Sequence, residues 1–217
     1  MKKLFGFPRN IIHFLIISVV FIALFSCGKK DLNPPEVTLK GNANIYLVLN
    51  GSYIEEGATA TDPEEGEVYV NIEGEVNTAL EGIYEITYTA YDEAGNSGRA
   101  TRWVHVYNES APVCGNFEAV SVSNSDTITF NAVLSTSTTV NKRFWIQGYA
   151  MDSTAVIYAD ITDNQISIQK QEYSSGGNTH FYSGTGTANI TDSVLITINF
   201  TDSTSGIVIH GVSQYVK

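Results

Sequence analysis

One segment decides the fold class of this 217-residue sequence: Gly82-Ile83-Tyr84-Glu85-Ile86-Thr87-Tyr88-Thr89-Ala90. Successive side chains of a strand point to opposite faces, so its alternation predicts a β-strand with one buried face. The predicted inner residues are Tyr84, Ile86, Tyr88 and Ala90, and the outer ones are Glu85, Thr87, Thr89 and Tyr91. The turn-forming run Asp92-Glu93-Ala94-Gly95-Asn96 then predicts a reversal into a second strand over 99–107.

Shorter apolar runs with turn residues between them precede this segment. They cover 37–39, 45–49 and 68–72, with turn signals at Gly41-Asn42 and Asn50-Gly51 and over 62–66. Short strands at this spacing are typical of an antiparallel sandwich.

Residues 36–107 resemble the bacterial Ig-like domain of surface lipoproteins, a domain that also occurs in some insecticidal crystal toxins. The matching segments are Gly57-Ala58-Thr59-Ala60-Thr61-Asp62, 82–90 and 92–96. Gly82 to Ile86 carries the spacing of an immunoglobulin tyrosine corner, with Ile86 where a core cysteine would stand. The resemblance implies an Ig-like β-sandwich that serves as a spacer or adhesion module.

A second domain is predicted over 114–217, after a linker over 108–113. Its Ser/Thr-rich runs predict seven or eight strands joined by short polar turns, two of them at 191–192 and 202–206. We expect an antiparallel barrel or sandwich, so that the whole fold is all-β. Residues 181–187 and 196–200 are similar to a lipocalin-like (calycin-like) module of gut-anaerobe lipoproteins. Whether such a barrel is hollow or filled stays open, although these aromatic residues are expected in its core: Trp145, Tyr149, Tyr158, Phe181 and Phe200.

The N-terminus has the layout of a secretory signal over 1–26. Basic residues at 2, 3 and 9 precede an apolar run over 11–25 that is shorter than a membrane-spanning helix needs. Leu24-Phe25-Ser26-Cys27 resembles the bacterial lipobox, which implies that Cys27 is acylated, with palmitate among its chains, and anchors the protein to the outer membrane. Residues 27–35 would be the tether, and both a periplasmic and a surface-exposed location stay open. The alternative is an uncleaved anchor helix.

Composition narrows the classes of partner. The net charge is −11, and loss of residues 1–26 would remove three basic and no acidic residues and give −14. Such a chain repels phosphate backbones, so no nucleic-acid partner is expected. With Cys27 acylated, Cys114 has no disulfide partner and is either a small buried apolar residue or a free thiol.

No catalytic motif stands out, so we expect no enzyme, no cofactor and no metal. The histidines outside the signal, His105, His180 and His210, are isolated, and no HExxH or Gly-x-Ser-x-Gly pattern occurs. Asp160 and Asp163 are explained by turns, although a pair of acids could serve glycoside hydrolysis. Four acids could offer oxygen ligands to Ca²⁺, but no twelve-residue ligand loop is present: Asp62, Glu64, Glu65 and Asp92.

Three aromatic residues are the candidate ligand contacts. If Val104 and Val106 face the core, then Trp103 and Tyr107 point outward, beside outward Tyr91 on the neighbouring strand. These side chains could stack on sugar rings, or instead cover an interface with the second domain or simply pair across strands. The predicted function is therefore a non-catalytic surface lipoprotein whose Ig-like spacer presents a β-barrel to a glycan or surface-protein partner. The alternative is a lipocalin-like carrier of a small apolar ligand.

Four sites in the second domain match a short O-glycosylation pattern of exported proteins in Gram-negative gut anaerobes. The pattern is Asp, then Ser or Thr, then an aliphatic residue, Met or Thr. The acceptors would be Thr127, Ser153, Ser193 and Ser203. The same dipeptides also favour turns, because their side chains bond to nearby backbone.

Overall fold

The computed structural model describes residues 30–124, 126–191, 193–204 and 206–217. The predicted signal over 1–26 and the predicted acylation site Cys27 lie outside these residues. Within them no helix has the length and apolar character needed to cross a bilayer. The described residues form two compact units: one contains 30–38, 58–71 and 89–99, and the other contains 39–57, 72–88 and the described residues from 100 onward.

The Ig-like region contains two sheets, as predicted. One has the strand order β1-β3-β4 and the other the order β2-β7-β6-β5. The strands β2 and β7 are parallel, whereas β3 and β4 form an antiparallel pair. The bounds are β1 Glu36–Leu39, β2 Asn44–Val48, β3 Ala58–Asp62, β4 Gly66–Val68, β5 Val70–Glu73, β6 Gly82–Tyr91 and β7 Ser97–Tyr107.

The segment that decided the fold class is β6, and its predicted inner face is correct. Ile86, Tyr88 and Ala90 are buried, and Tyr84 is half-buried. The Tyr84 hydroxyl donates a hydrogen bond of 2.7 Å to the carbonyl oxygen of Leu80, which is the contact that defines a tyrosine corner. The corner predicted from the spacing is therefore confirmed.

The second half of the chain is a closed antiparallel barrel, which decides between the two predicted alternatives. Each strand pairs with the next along the sequence, and β15 pairs with β8 to close the ring. Asp202 was predicted in a turn, but β14 extends through it, so that prediction is wrong. The bounds are β8 Gly115–Ser123, β9 Asp126–Thr136, β10 Arg143–Tyr149, β11 Asp152–Thr162, β12 Gln165–Ser175, β13 Asn178–Ile190, β14 Val194–Thr204 and β15 Ile207–Val216.

Side chains fill the barrel interior. Alternate residues of the strands point inward and form one buried cluster, in which the largest rings are Phe144, Tyr149, Tyr182, Phe200 and Tyr215. Gly184 makes room for one of them, because a Cβ there would lie 2.5 Å from the Tyr149 hydroxyl oxygen. Trp145, in contrast, is 42% exposed, and Tyr158 and Phe181 are half-buried and lie outside this cluster, so the expected core position of these three residues is wrong.

The predicted linker begins with a fully buried asparagine. The Asn108 amide donates hydrogen bonds of 2.7, 2.9 and 3.1 Å to the carbonyl oxygens of Ser137, Val140 and Arg143. Its carbonyl oxygen accepts from the backbone N–H groups of Ser110 and Lys142, at 3.0 and 2.8 Å. Because these bonds satisfy both ends of the amide, this part of the chain is fixed and does not act as a flexible spacer.

Candidate functional site

A row of aromatic side chains lies on the outer face of β2 and β7. The parallel register places Asn44 beside Trp103, Tyr46 beside His105 and Val48 beside Tyr107. Trp103 is 40% exposed, Tyr107 is similarly exposed, and the Tyr46 ring is more exposed still. Tyr46 and His105 stack with their ring centroids 4.7 Å apart. We call Tyr46, Trp103, His105 and Tyr107 the aromatic surface.

Strand alternation produces this surface. Val104 and Val106 face the core, as predicted, so the odd-numbered residues of β7 point outward. Tyr46 extends the row because β2 is an edge strand that pairs with β7. Sequence reasoning missed Tyr46, although its place between Ile45 and Leu47 on an alternating strand indicated an outward direction.

Tyr91, the third predicted contact residue, is exposed as predicted. It ends β6 and belongs to the other compact unit, so it is not counted in the aromatic surface. Trp103 and Tyr107, in contrast, lie on one face of one strand within one unit.

An ion pair between a fully buried arginine and a half-buried glutamate lies on the inner side of β7, and sequence reasoning did not single it out. The Arg102 guanidinium is fully buried and is ion-paired with Glu55. Its Nε donates a hydrogen bond of 3.0 Å to the carbonyl oxygen of Asn42, and it also donates to the carbonyl oxygen of Lys40. Arg102 has the same even-numbered spacing on β7 as the inward-facing Val104 and Val106. This spacing could have predicted that Arg102 also points inward.

Glu55 accepts several hydrogen bonds in addition to the ion pair. Its donors are the hydroxyls of Tyr53 and Tyr88 and, at 2.6 Å, the backbone N–H of Gly57. Burial by itself would raise the pKa of Glu55, but these hydrogen bonds and the Arg102 charge outweigh burial and lower it. Burial and the Glu55 carboxylate raise the pKa of Tyr53 to about 12. The cluster therefore holds a stable negative charge beside a stable positive one.

The barrel carries a shallow groove across β12 to β15, with a volume of about 750 Å³. Hydroxyl, amide and imidazole groups contribute much of its wall, and Lys170 adds a positive charge. The Thr201 hydroxyl and Nδ1 of His210 are 3.1 Å apart. Among the polar residues that line the groove are Ser167, Gln169, Lys170, Thr185, Asn199, Thr201 and His210.

Two barrel aspartates hold neighbouring cationic or imidazole groups. Asp160 forms a two-pronged ion pair with Arg143, with N–O distances of 2.7 and 2.9 Å. Asp202 lies 3.0 Å from Nδ1 of His180, and the Thr204 hydroxyl is 2.8 Å from the same nitrogen. These contacts orient the arginine and the imidazole. Asp160 lies within β11 and pairs with Arg143, so the turn role expected for it from the sequence is wrong.

Three carboxylates meet in the Ig-like region: those of Asp31, Asp62 and Asp92, with one oxygen of each within 4.8 Å of the others. Asp62 and Asp92 were among the acids singled out in the sequence, and Asp31 was not. Glu65 instead accepts a hydrogen bond of 2.8 Å from the backbone N–H of Glu93.

The candidate glycosylation sites differ in exposure. Thr127, Ser153 and Ser193 are exposed, and the first two lie at the beginnings of β9 and β11. Ser203 is half-buried within β14, where it pairs with Phe181 and Val208 on the neighbouring strands.

Cys114 is half-buried, and its thiol contacts the carbonyl oxygen of Ser110 at 3.4 Å. Burial raises the pKa of Cys114 to about 11, so its thiol is protonated and unreactive at neutral pH. This favours the interpretation of Cys114 as a small buried apolar residue over that of a reactive free thiol.

One family of known proteins matches part of the chain. Residues 37–106 match the family described as bacterial surface protein, Ig-like domain. No curated protein shows significant sequence similarity to the chain.

Two solved structures resemble the chain weakly. A lipoprotein from Bacteroides thetaiotaomicron is 20% identical with a TM-score of 0.35, over 83% of this chain and 98% of that one. The structure of CBM51-2 in complex with GlcNAc and INT domains from Clostridium perfringens ZmpB is 14% identical with a TM-score of 0.28, over 84% of this chain and 44% of that one. TM-scores of this size carry no argument about function. Residues 37–106 thus match the bacterial surface Ig-like domain, and the closed eight-stranded barrel that follows fits a lipocalin-like module.

Proposed function

We propose that this protein is a non-catalytic lipoprotein of the bacterial outer membrane that contacts neutral glycans through its aromatic surface. The observation that carries the proposal is the exposure of Tyr46, Trp103 and Tyr107 side by side on one sheet face. Large exposed rings that are continuous with one another mark interaction sites more often than isolated ones do. The anchor would be the acylated Cys27.

The chemistry of this surface suits a sugar. An aromatic ring offers an apolar face to the C–H groups of a pyranose, while the Tyr hydroxyls and the indole N–H can bond to sugar hydroxyls. The net charge of −11 disfavours polyanionic ligands, so neutral oligosaccharides are the preferred class.

The barrel supports this proposal more than the alternative of an apolar carrier. Tyr149, Tyr182, Phe200 and Tyr215 fill the interior that a carrier would need for its ligand. The outer groove offers hydroxyl and amide groups, which suit a polar contact rather than an apolar one. The engagement of Asp160 with Arg143 also supports a non-catalytic role.

The two tryptophans provide a matched test. Trp103 lies on the aromatic surface, whereas Trp145 lies on the barrel, and their exposed fractions are 40% and 42%. The full chain, purified in detergent, is first screened on an array of neutral oligosaccharides. The strongest binder is then titrated by fluorescence and calorimetry against Trp103→Ala and Trp145→Ala proteins.

We expect Trp103→Ala to weaken binding by about tenfold or more, because central aromatic anchors dominate contact energies. The Trp145→Ala protein should bind like the wild type. The proposal would be overturned if both variants lost the same amount of glycan affinity, or if the wild type showed no saturable binding to any glycan. Capture of a surface protein whose binding depends on Trp103, without glycan binding, would also overturn it and favour a protein partner.

A further inference from the structure

The first observation is a cluster of three carboxylates from separate parts of the chain. Asp31 precedes β1, Asp62 ends β3, and Asp92 follows β6, and all three belong to the same compact unit. One oxygen of each lies within 4.8 Å of the others. Asp62 is 2% exposed and Asp92 is 7% exposed, so water screens their charges poorly. Like charges held this close repel one another.

The second observation is an unpaired buried oxygen. Asp62 Oδ1 accepts hydrogen bonds of 2.8 and 3.0 Å from the backbone N–H groups of Glu64 and Glu65. Asp62 Oδ2 is also buried, yet it has no hydrogen-bond partner among the described residues. Because buried polar atoms are nearly always satisfied, an unpaired carboxylate oxygen within a carboxylate cluster favours a cation as its partner.

The surroundings hold the carboxylates in place. Asp92 Oδ1 accepts a bond of 2.6 Å from the backbone N–H of Asn96, and Asp31 Oδ1 accepts one of 2.9 Å from that of Asn33. The Asn96 amide donates to Asp92 Oδ2 at 2.6 Å and lies 3.4 Å from the backbone carbonyl oxygens of Asp31 and Asn33. Carboxylate and carbonyl oxygens thus converge on one small region.

We propose that Asp31, Asp62 and Asp92 bind one Ca²⁺ ion. The three acids of the cluster offer oxygen only, which suits a hard cation and not zinc, whose structural sites use cysteine and histidine. Ca²⁺ accepts six to eight oxygens in flexible geometry, so water and the nearby carbonyls can complete the set, whereas Mg²⁺ demands a near-ideal octahedron. The ion would tie the segment before β1 to the ends of β3 and β6.

The test uses the full chain in detergent, stripped of metal with EGTA and titrated with CaCl₂ by calorimetry and by thermal unfolding. We expect saturable binding with a Kd of roughly 10⁻⁴ M, as in extracellular Ca²⁺ modules, and a higher Tm in about 5 mM Ca²⁺. MgCl₂ should bind at least tenfold more weakly.

The decisive variant is Asp62→Asn, because its amide oxygen can still accept the two backbone hydrogen bonds while the charge is lost. It should fold without Ca²⁺ and lose the Ca²⁺-dependent shift of Tm. The control is Glu67→Gln, an exposed acid on the neighbouring strand β4, which should respond like the wild type. Absence of saturable Ca²⁺ binding to the wild type, or unchanged binding by Asp62→Asn, would overturn the site, and neither result depends on glycan binding.

Discussion

The ion pair between fully buried Arg102 and half-buried Glu55 predicts a large effect for Arg102→Met. The substitution leaves the Glu55 carboxylate, which is 27% exposed, without its counter-charge. It also leaves the carbonyl oxygens of Lys40 and Asn42 without their arginine donors, at about 1 to 2 kcal/mol each. Together these losses should lower the free energy of unfolding by about 4 kcal/mol, within the range for breaking one side of a buried pair.

Urea unfolding at neutral pH checks this value. In a Trp145→Phe background the fluorescence of Trp103, the neighbour of Arg102, reports the Ig-like region. The control is Arg143→Met in a Trp103→Phe background, which breaks a two-pronged pair with side chains 27% and 38% exposed. Because water screens that pair, its loss should cost only about 1 kcal/mol.

A double substitution, Arg102→Met with Glu55→Gln, tests the reasoning directly. If the cost arises from a stranded charge, the double variant should be no less stable than Arg102→Met alone. The assignment of an energetically coupled ion pair would be refuted if the stability losses of Arg102→Met and Glu55→Gln were strictly additive. It would also be refuted if Arg102→Met lowered the free energy of unfolding by less than about 1 kcal/mol.

The same pair predicts how stability depends on pH. The pKa of Glu55 is lowered in the folded state from its ordinary value of 4.5. Its stabilising contribution is therefore fully present above that value and is lost as the pH falls through the folded-state pKa. Glu55→Gln should flatten this acid-induced loss, measured as the urea midpoint of the Trp103 transition across acidic pH; an unchanged pH profile would contradict it.

Three further predictions follow from single sites. Tyr84→Phe should destabilise the Ig-like region by about 1 kcal/mol, by removing the bond to the Leu80 carbonyl oxygen, and an unchanged urea midpoint would count against the corner. Cys27→Ala should release the protein from the membrane or leave it unprocessed, and palmitate labelling at the wild-type level would contradict the anchor. Intact mass spectrometry of the native protein should show glycan mass on the barrel, with the lowest occupancy at half-buried Ser203. A mass explained by polypeptide and acyl chains alone would refute that modification.

Much of the fold follows from short-range patterns. Alternation over 82–90 gives β6 and its buried face, and the spacing from Gly82 to Ile86 gives the tyrosine corner. The alternation of Val104 and Val106 also placed Trp103 and Tyr107 on the outer face. These features are local because a strand repeats every two residues whatever it pairs with.

Other predictions failed where pairing between strands decides the outcome. Asp202 has the composition of a turn residue, yet its pairing with Tyr182 and Ile209 extends β14 through it. Trp145 has the size of a core residue, yet its strand position directs it outward. Burial of a single side chain depends on register, and composition does not encode register.

The sequence by itself determined the all-β class, the Ig-like resemblance of 36–107 and the aromatic residues of β7, because each depends on local spacing. Only the tertiary structure decided that the barrel closes and is filled, since closure requires β15 to meet β8 across the length of the domain. It alone placed Tyr46 beside His105 and brought Asp31 to Asp62 and Asp92. Contacts between residues far apart in the chain arise from packing, and no short-range pattern records them.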